Sequence, residues 1–125
     1  MFNQLVRAAV LGVVCIACVP HVAMARSAYD GQWSVLIVTE KGSCDRAYRY
    51  GIEISNGQVL YQGGGPINLT GRVANNGSVR VMVSAGDRRA VGQGRLSRNV
   101  GRGNWSGNSS GSGGCTGYWE AERRG

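Results

Sequence analysis

The stretch from Arg46 to Gly63 constrains this chain more than any other. It reads Arg46-Ala47-Tyr48-Arg49-Tyr50-Gly51-Ile52-Glu53-Ile54, then Ser55-Asn56-Gly57-Gln58, then Val59-Leu60-Tyr61-Gln62-Gly63. Apolar residues alternate on both sides of an Asn-Gly dipeptide, which favours a two-residue type I′ turn because both central residues must take positive φ. Such a turn pairs Ile54 with Val59 and Ile52 with Tyr61, so that both strands bury the same face. A three-residue turn sets Ile54 opposite Gln58 and mixes the faces. A slip of one residue would turn every inward side chain outward, so this hairpin tells inside from outside for the strands around it.

The beginning of the chain follows a different logic. Arg7 precedes an apolar run from Ala8 to Val19, then Pro20-His21-Val22 and the small-residue site Ala23-Met24-Ala25. Residues 1–25 therefore read as a secretory signal peptide cleaved before Arg26, leaving 26–125 as a single domain. The apolar run is short for a membrane-spanning helix, and no transmembrane span is expected after cleavage. Ile16-Ala17-Cys18 partly matches a lipidation motif at Cys18, with Cys15 where that motif wants a branched aliphatic residue. Arg7 is the only charged residue to leave, so the formal charge of +7 falls by one and the mature chain stays basic, with Lys41 its sole lysine. Cys15, Cys18 and His21 leave as well. Cys44 and Cys115 remain, an even pair in an exported chain, and read as a disulfide. Closing a loop of that length restricts the unfolded chain by about 4 kcal/mol. The expected location is periplasmic or extracellular.

Along the mature chain, Gln32 to Thr39 alternates Trp33, Val35 and Ile37 on one face, with Leu36 and Val38 on the other. A polar turn, Glu40-Lys41-Gly42-Ser43, leads past Cys44 into the hairpin, and Gly63-Gly64-Gly65-Pro66 follows it as a loop. Strands over Ile67 to Ala74 and Ser78 to Ser84 are joined by Asn75-Asn76-Gly77. A three-residue loop with Gly77 left-handed aligns Val73 with Val79, Gly71 with Val81 and Leu69 with Val83. Arg89 to Ser97 points Ala90, Gly92, Gly94 and Leu96 inward, and the alternate glycines predict a large neighbour across the sheet, for which Trp105 is the expected occupant. The loop 98–101 precedes a strand over Arg102 to Gly107, and Asn108 to Gly114 reads as a flexible Ser/Gly loop. Cys115 to Ala121 closes the series with Cys115, Gly117, Trp119 and Ala121 inward.

This gives about eight strands and no amphipathic helix to cover a sheet, which leaves an all-β antiparallel up-and-down barrel or, as the alternative, a β-sandwich. In a closed meander the end of the first strand meets the start of the last, where Cys44 and Cys115 fall. The barrel is favoured on that ground, with Trp33, Tyr50, Tyr61, Trp105 and Trp119 as its core.

The segments Tyr29-Asp30-Gly31-Gln32-Trp33-Ser34, Gly42-Ser43-Cys44-Asp45, Tyr48-Arg49-Tyr50, Gly94-Arg95-Leu96-Ser97, Gly103-Asn104-Trp105-Ser106-Gly107 and Cys115-Thr116-Gly117-Tyr118-Trp119-Glu120-Ala121-Glu122-Arg123 together resemble a group of small exported, uncharacterised proteins of alphaproteobacteria. Some of these are labelled by association with large exoproteins of adhesion or haem utilisation. The resemblance implies export and transfers no binding residue. Haem ligation has little support in the residues, since the mature chain lacks histidine and Met82 is expected to face outward. The architecture is also similar to small periplasmic protease-inhibitor barrels, an analogy of fold alone.

The residues argue against catalysis, because a nucleophile needs a base and the mature chain offers no histidine, while its inward positions carry no carboxylate. No metal site and no cofactor is expected. The arginines say more. The inferred register opposes Arg72 to Arg80 on the outer face, a like-charge pair that costs sheet stability. Arg95 lies diagonal to it, and Arg88, Arg89, Arg98 and Arg102 lie nearby. These predict a basic face, with Arg72, Arg80, Arg95, Arg88 and Arg89 meeting an anionic partner such as acidic polysaccharide, lipid head groups or an acidic protein. Nucleic acid is not expected in an exported protein. Leu36, Val38 and Tyr118 form a second outer feature, which is either covered by the Ala28-Tyr29 segment or free for a protein or dimer contact. The expected function is a non-enzymatic interaction module, with inhibition of a secreted or periplasmic hydrolase as the alternative.

Overall fold

A computed structural model describes residues 27–109 and 113–125. The expected signal segment and Cys18 lie outside the described residues. Eight antiparallel strands close into one barrel in sequence order: β1 (Gly31–Lys41), β2 (Ala47–Ser55), β3 (Gln58–Tyr61), β4 (Asn68–Val73), β5 (Ser78–Ala85), β6 (Arg88–Leu96), β7 (Val100–Ser109) and β8 (Cys115–Arg123). The up-and-down barrel expected from the strand pattern is the fold, and the sandwich is not.

The two hairpins take the registers their turns demand. Asn56 and Gly57 adopt φ of 52° and 79°, and Ile54 pairs with Val59 and Ile52 with Tyr61. Gly77 is left-handed at φ 91°, with Val73 opposite Val79 and Leu69 opposite Val83. The first hairpin therefore sends Tyr50, Ile52, Ile54, Val59 and Tyr61 inward, and the second Leu69, Val73, Val79, Val81 and Val83. β1 and β8 pair along their length, from Trp33 opposite Arg123 to Lys41 opposite Thr116. The Cys44–Cys115 disulfide spans the far end of that seam, with Cα atoms 6.2 Å apart.

Packing divides the barrel into two unequal halves. The β2–β3, β4–β5 and β6–β7 turns and the Ser27 and Gly125 ends gather at one end, where Trp33 (2% exposed), Ile54 (1%), Val59, Val73, Val79, Leu96 and Ala121 form the buried core. Toward the other end, here called the mouth, the inward residues Ile37, Tyr50, Ile52, Tyr61, Leu69, Val83, Ala90 and Trp105 are only half-buried. All five expected core aromatics point inward, yet only Trp33 and Trp119 are buried. Tyr50, Tyr61 and Trp105 line the wall of the open half. The physical reason is length: β3 has four residues and meets β4 at one pair, Gln58 with Arg72, so the wall beside Tyr61 and Leu69 is not closed by a ladder.

The glycines of β6 do make room for an indole, but the occupant is Trp119. A Cβ on Gly94 would stand 2.6 Å from Trp119 Cζ2, and one on Gly103 2.7 Å from Cε2, so the ring lies flat across β7 onto β6. Trp105 stands opposite Gly92 in register but turns the other way, over Gly117, and donates its Nε1–H to Val38 O at 3.0 Å. Two further boundaries differ from the sequence reading. β7 begins at Val100, which shortens the preceding loop to residues 97–99, and it runs on through Asn108 and Ser109, two residues assigned above to the flexible loop. Residues 110–112 of that loop lie outside the described residues.

Candidate functional site

The outer face of β3 to β8 carries a straight row of polar side chains. Register places Gln58 beside Arg72, Arg72 beside Arg80, Arg80 beside Gln93, Gln93 beside Asn104, and Asn104 beside Tyr118. Neighbouring strands stand about 4.8 Å apart, so these six side chains repeat at that spacing around the wall. Alternation explains the row: Val73, Val79, Gly94 and Trp105 point inward, so their neighbours in sequence must point outward. A parallel row below it runs Ser78, Arg95, Arg102, Glu120.

The electrostatics of the upper row are unbalanced. Arg72 and Arg80 are exposed and directly opposed, flanked by the neutral amides of Gln58 and Gln93, and no acidic residue occupies an adjacent position on β3 to β6. Neither guanidinium enters an ion pair with a described residue; Arg124–Glu122 at 3.3 Å is such a pair, at the far end of β8. Arg95 and Arg102 repeat the like-charge opposition one row away, with Glu120 beside Arg102. An open groove of about 850 Å³ runs along this surface, lined by Arg72, Ala74, Ser78, Arg80 and Gln93 among others.

Of the five arginines expected on this face, Arg72, Arg80 and Arg95 cluster there. Arg89 points outward two rows away, between Ser84 and Asn108. Arg88 does not belong to the outer face: it pairs with Ala85 on the inward row at the mouth, where its charge is felt by Tyr48 and Tyr50 across the opening. Arg102, expected to open its strand and to lie near the basic face, sits inside β7 and completes the arginine cluster. The signal was present, since Gly101, Gly103 and Trp105 alternate with it.

Leu36 and Val38 are brought next to Glu120 and Tyr118 by the β1–β8 ladder. All three hydrophobic side chains are half-buried. Of the two alternatives for this patch, cover by Tyr29 does not form there. Tyr29 instead packs on the core at the closed end, where its carbonyl accepts the Trp33 Nε1–H at 2.9 Å.

At the mouth, Tyr48, Tyr50 and Tyr61 form a run of rings with centroids 5.8 and 5.9 Å apart. The Tyr48 hydroxyl donates to Asp45 Oδ2. That bond, aided by burial and the Asp45 charge, holds the Tyr48 pKa above the usual tyrosine range, while burial does the same for Tyr50 with Arg88 opposing it. Both therefore remain neutral hydroxyl donors at physiological pH.

The closed end is locked by two residues whose role the sequence reading missed. Arg123, the next inward position after Ala121, donates from Nη1 to Asp30 O, from Nη2 to Ala28 O at 2.7 Å and from Nε to Arg98 O at 3.0 Å, and its guanidinium lies 5.0 Å from the Trp33 ring centre. The Asp30 carboxylate accepts the Ser27 hydroxyl at 2.5 Å and the amides of Asn56 at 2.7 Å and Gly57 at 3.2 Å. Desolvation opposes its ionisation, but these three donors outweigh it and hold the Asp30 pKa below the usual carboxylate value. Among the described residues no three His, Cys, Asp or Glu side chains gather as a metal site would require, and no helix is long and apolar enough to cross a membrane. Comparison with protein families, curated proteins and solved structures finds no match.

Proposed function

We propose that this protein is a non-enzymatic binding module that takes an acidic polysaccharide along the outer row Gln58, Arg72, Arg80, Gln93, Asn104 and Tyr118. The observation that carries this reading is the direct opposition of Arg72 and Arg80 between two amides, with no acid beside them. A like-charge pair of this kind destabilises the sheet unless an external anion lies over it. The guanidinium fork suits carboxylate or sulfate oxygens, and the flanking amides supply both donors and acceptors for hydroxyls. Tyr118 ends the row with a ring that presents an apolar face and a polar tip, as a sugar does. The signal-like sequence of the first 25 residues and the disulfide support an exported setting, where such polymers occur.

Titration of heparin and polygalacturonate against the wild type and an Arg72→Ala/Arg80→Ala variant tests it. The variant is expected to bind about tenfold or more weakly with a smaller salt dependence, while Arg89→Ala stays near wild type. Equal affinities for wild type and double variant would reject the row as the site. Tight binding to anionic lipid vesicles without binding to either polysaccharide would reject the polymer class.

A further inference from the structure

The outer row Gln58, Arg72, Arg80 and Gln93 has two unlike borders. Toward the closed end lie the groove and the polar side chains of Asn75, Ser78 and Arg95. Toward the mouth the next outward positions on the same four strands are Leu60, Thr70, Met82 and Val91, each two residues along from its member of the row. Met82 is 56% exposed and Leu60 39%; Thr70 between them is exposed as well, and Val91 beside Met82 is half-buried. Two large exposed hydrophobics therefore border the opposed arginines. The strip they form is one row deep, because two residues of strand span about 6.8 Å. One row further on, the outward positions are polar again, with Asn68 opposite Ser84 and Ser84 opposite Arg89. Its ends are polar too: Glu53 lies opposite Leu60, and Ser106 opposite Val91.

We infer, resting on the assignment of the outer row to an acidic polysaccharide, that the polymer it takes is O-acetylated, with acid groups over Arg72 and Arg80 and acetyl methyls on Met82 and Leu60. The spacing carries the choice. Arg80 and Met82 put a charge-binding group and an apolar contact about 6.8 Å apart, within the span of one acetylated uronate residue. An acyl chain or a bilayer surface asks for a broader apolar patch than a single row closed in by Glu53, Asn68, Ser84, Arg89 and Ser106. An acetyl methyl needs one or two side chains, and an unbranched thioether adapts readily to so small a group. The Thr70 hydroxyl, between the two hydrophobics, is placed to donate to the ester carbonyl. On the other border, Asn75 and Ser78 meet the hydroxylated edge of the chain.

The test is calorimetric titration of the purified protein with polygalacturonate and with the same polymer after partial O-acetylation, at equal chain length and uronate concentration. The acetylated polymer is expected to bind about fourfold or more tightly, the effect of burying one methyl group. Leu60→Ser/Met82→Ser, at two exposed outer positions, should erase that preference while binding the unacetylated polymer as wild type does, which also reports that the variant is folded. Val100→Ser removes a hydrophobic that is 55% exposed and lies opposite Glu122, away from the strip, and should keep the preference. Arg72→Ala/Arg80→Ala should weaken both polymers alike. Equal or weaker binding of the acetylated polymer overturns the inference and leaves the polysaccharide reading standing. So does a preference that survives Leu60→Ser/Met82→Ser or disappears in Val100→Ser. Failure of the wild type to bind either galacturonate polymer also overturns the inference, and failure to bind heparin as well overturns the polysaccharide reading with it.

Discussion

Arg123 offers the sharpest test of how the closed end is held. Its guanidinium makes three charge-assisted hydrogen bonds to the carbonyls of Asp30, Ala28 and Arg98 and stacks on Trp33. The bonds to Ala28 and Arg98 are solvent-exposed, and each is worth about 0.5 kcal/mol at such a site; the part-buried bond to Asp30 is worth about 1.5 kcal/mol. The stacking adds about 0.5–1 kcal/mol. Arg123→Ala should therefore cost about 3 kcal/mol, which for a domain of this size lowers Tm by about 12–24 °C. Arg123→Lys keeps the charge but loses the planar fork, so it should recover less than half of that loss. Thermal unfolding followed by near-ultraviolet circular dichroism measures both, with the Trp33 band reporting the local change. An Arg123→Ala protein that melts within about 2 °C of wild type would refute the account of the clasp.

Further predictions concern the seat of the Trp119 ring and the Asp30 carboxylate. A methyl added at Gly103 meets the Gly94 Cα and Trp119 Cε2, both at 2.7 Å, so Gly103→Ala should cost about 2–3 kcal/mol by overpacking against a paired strand that cannot yield. Gly64→Ala, where a Cβ meets nothing within 4 Å, should be neutral or stabilise by a few tenths of a kcal/mol, roughly, through the unfolded chain; equal destabilisation in urea melts would contradict the indole placement. The lowered pKa of Asp30 sets a pH dependence. Its contribution is fully present above the unfolded carboxylate value of about 3.9 and is lost as pH falls through the lower folded value, because the unfolded state binds the proton first. Asp30→Asn should therefore be less stable than wild type at pH 7, with the gap in Tm closing by pH 2; a constant gap would show that the carboxylate charge is not what holds the Asn56-Gly57 turn.

Much of this architecture is legible in the residues because turn chemistry and period-two alternation act locally. Asn56-Gly57 dictates a type I′ turn, Asn75-Asn76-Gly77 a bulged one, and each then fixes a register that carries Arg72 to Arg80. The Cys44–Cys115 bridge follows from the same meander once it closes. What alternation does not determine is which way an inward ring leans. Trp105 and Trp119 both face the lumen, and the glycines on β6 fit either, but only Trp119 has a glycine at 103 between it and β6 that lets the ring cross the intervening strand. Alternation also does not distinguish an inward residue in the packed end from one in the open end. That depends on β3 stopping at Tyr61, a boundary set by the run of glycines after it. Arg123 and Arg88 were hidden because an inward arginine contradicts the usual pattern. At a barrel's ends the inward row emerges among backbone carbonyls or other rim side chains, and there a guanidinium is well placed.

The division of labour between the two ends explains why the barrel tolerates an open mouth. The strongest local constraints gather at the closed end: the Arg123 fork, the Asp30 carboxylate bound to the β2–β3 turn, and the ladder from Gln32 to Arg124 and Gly125 that ties the two terminal segments together. The mouth is held by covalent means instead, through Cys44 and Cys115 across the β1–β8 seam. A disulfide constrains chain separation without needing a packed interior beneath it. Inward side chains at the mouth end are therefore not needed to close the seam, and Tyr50, Tyr61, Leu69 and Val83 can remain half-exposed at no cost to it. The outer arginine row follows the same reasoning. The repulsion between Arg72 and Arg80 amounts to about 1 kcal/mol at most on a solvated face, well within what a locked end and a cross-linked seam supply. Stability at the closed end and at the seam thus permits half-buried inward side chains at the mouth and an unbalanced arginine row outside.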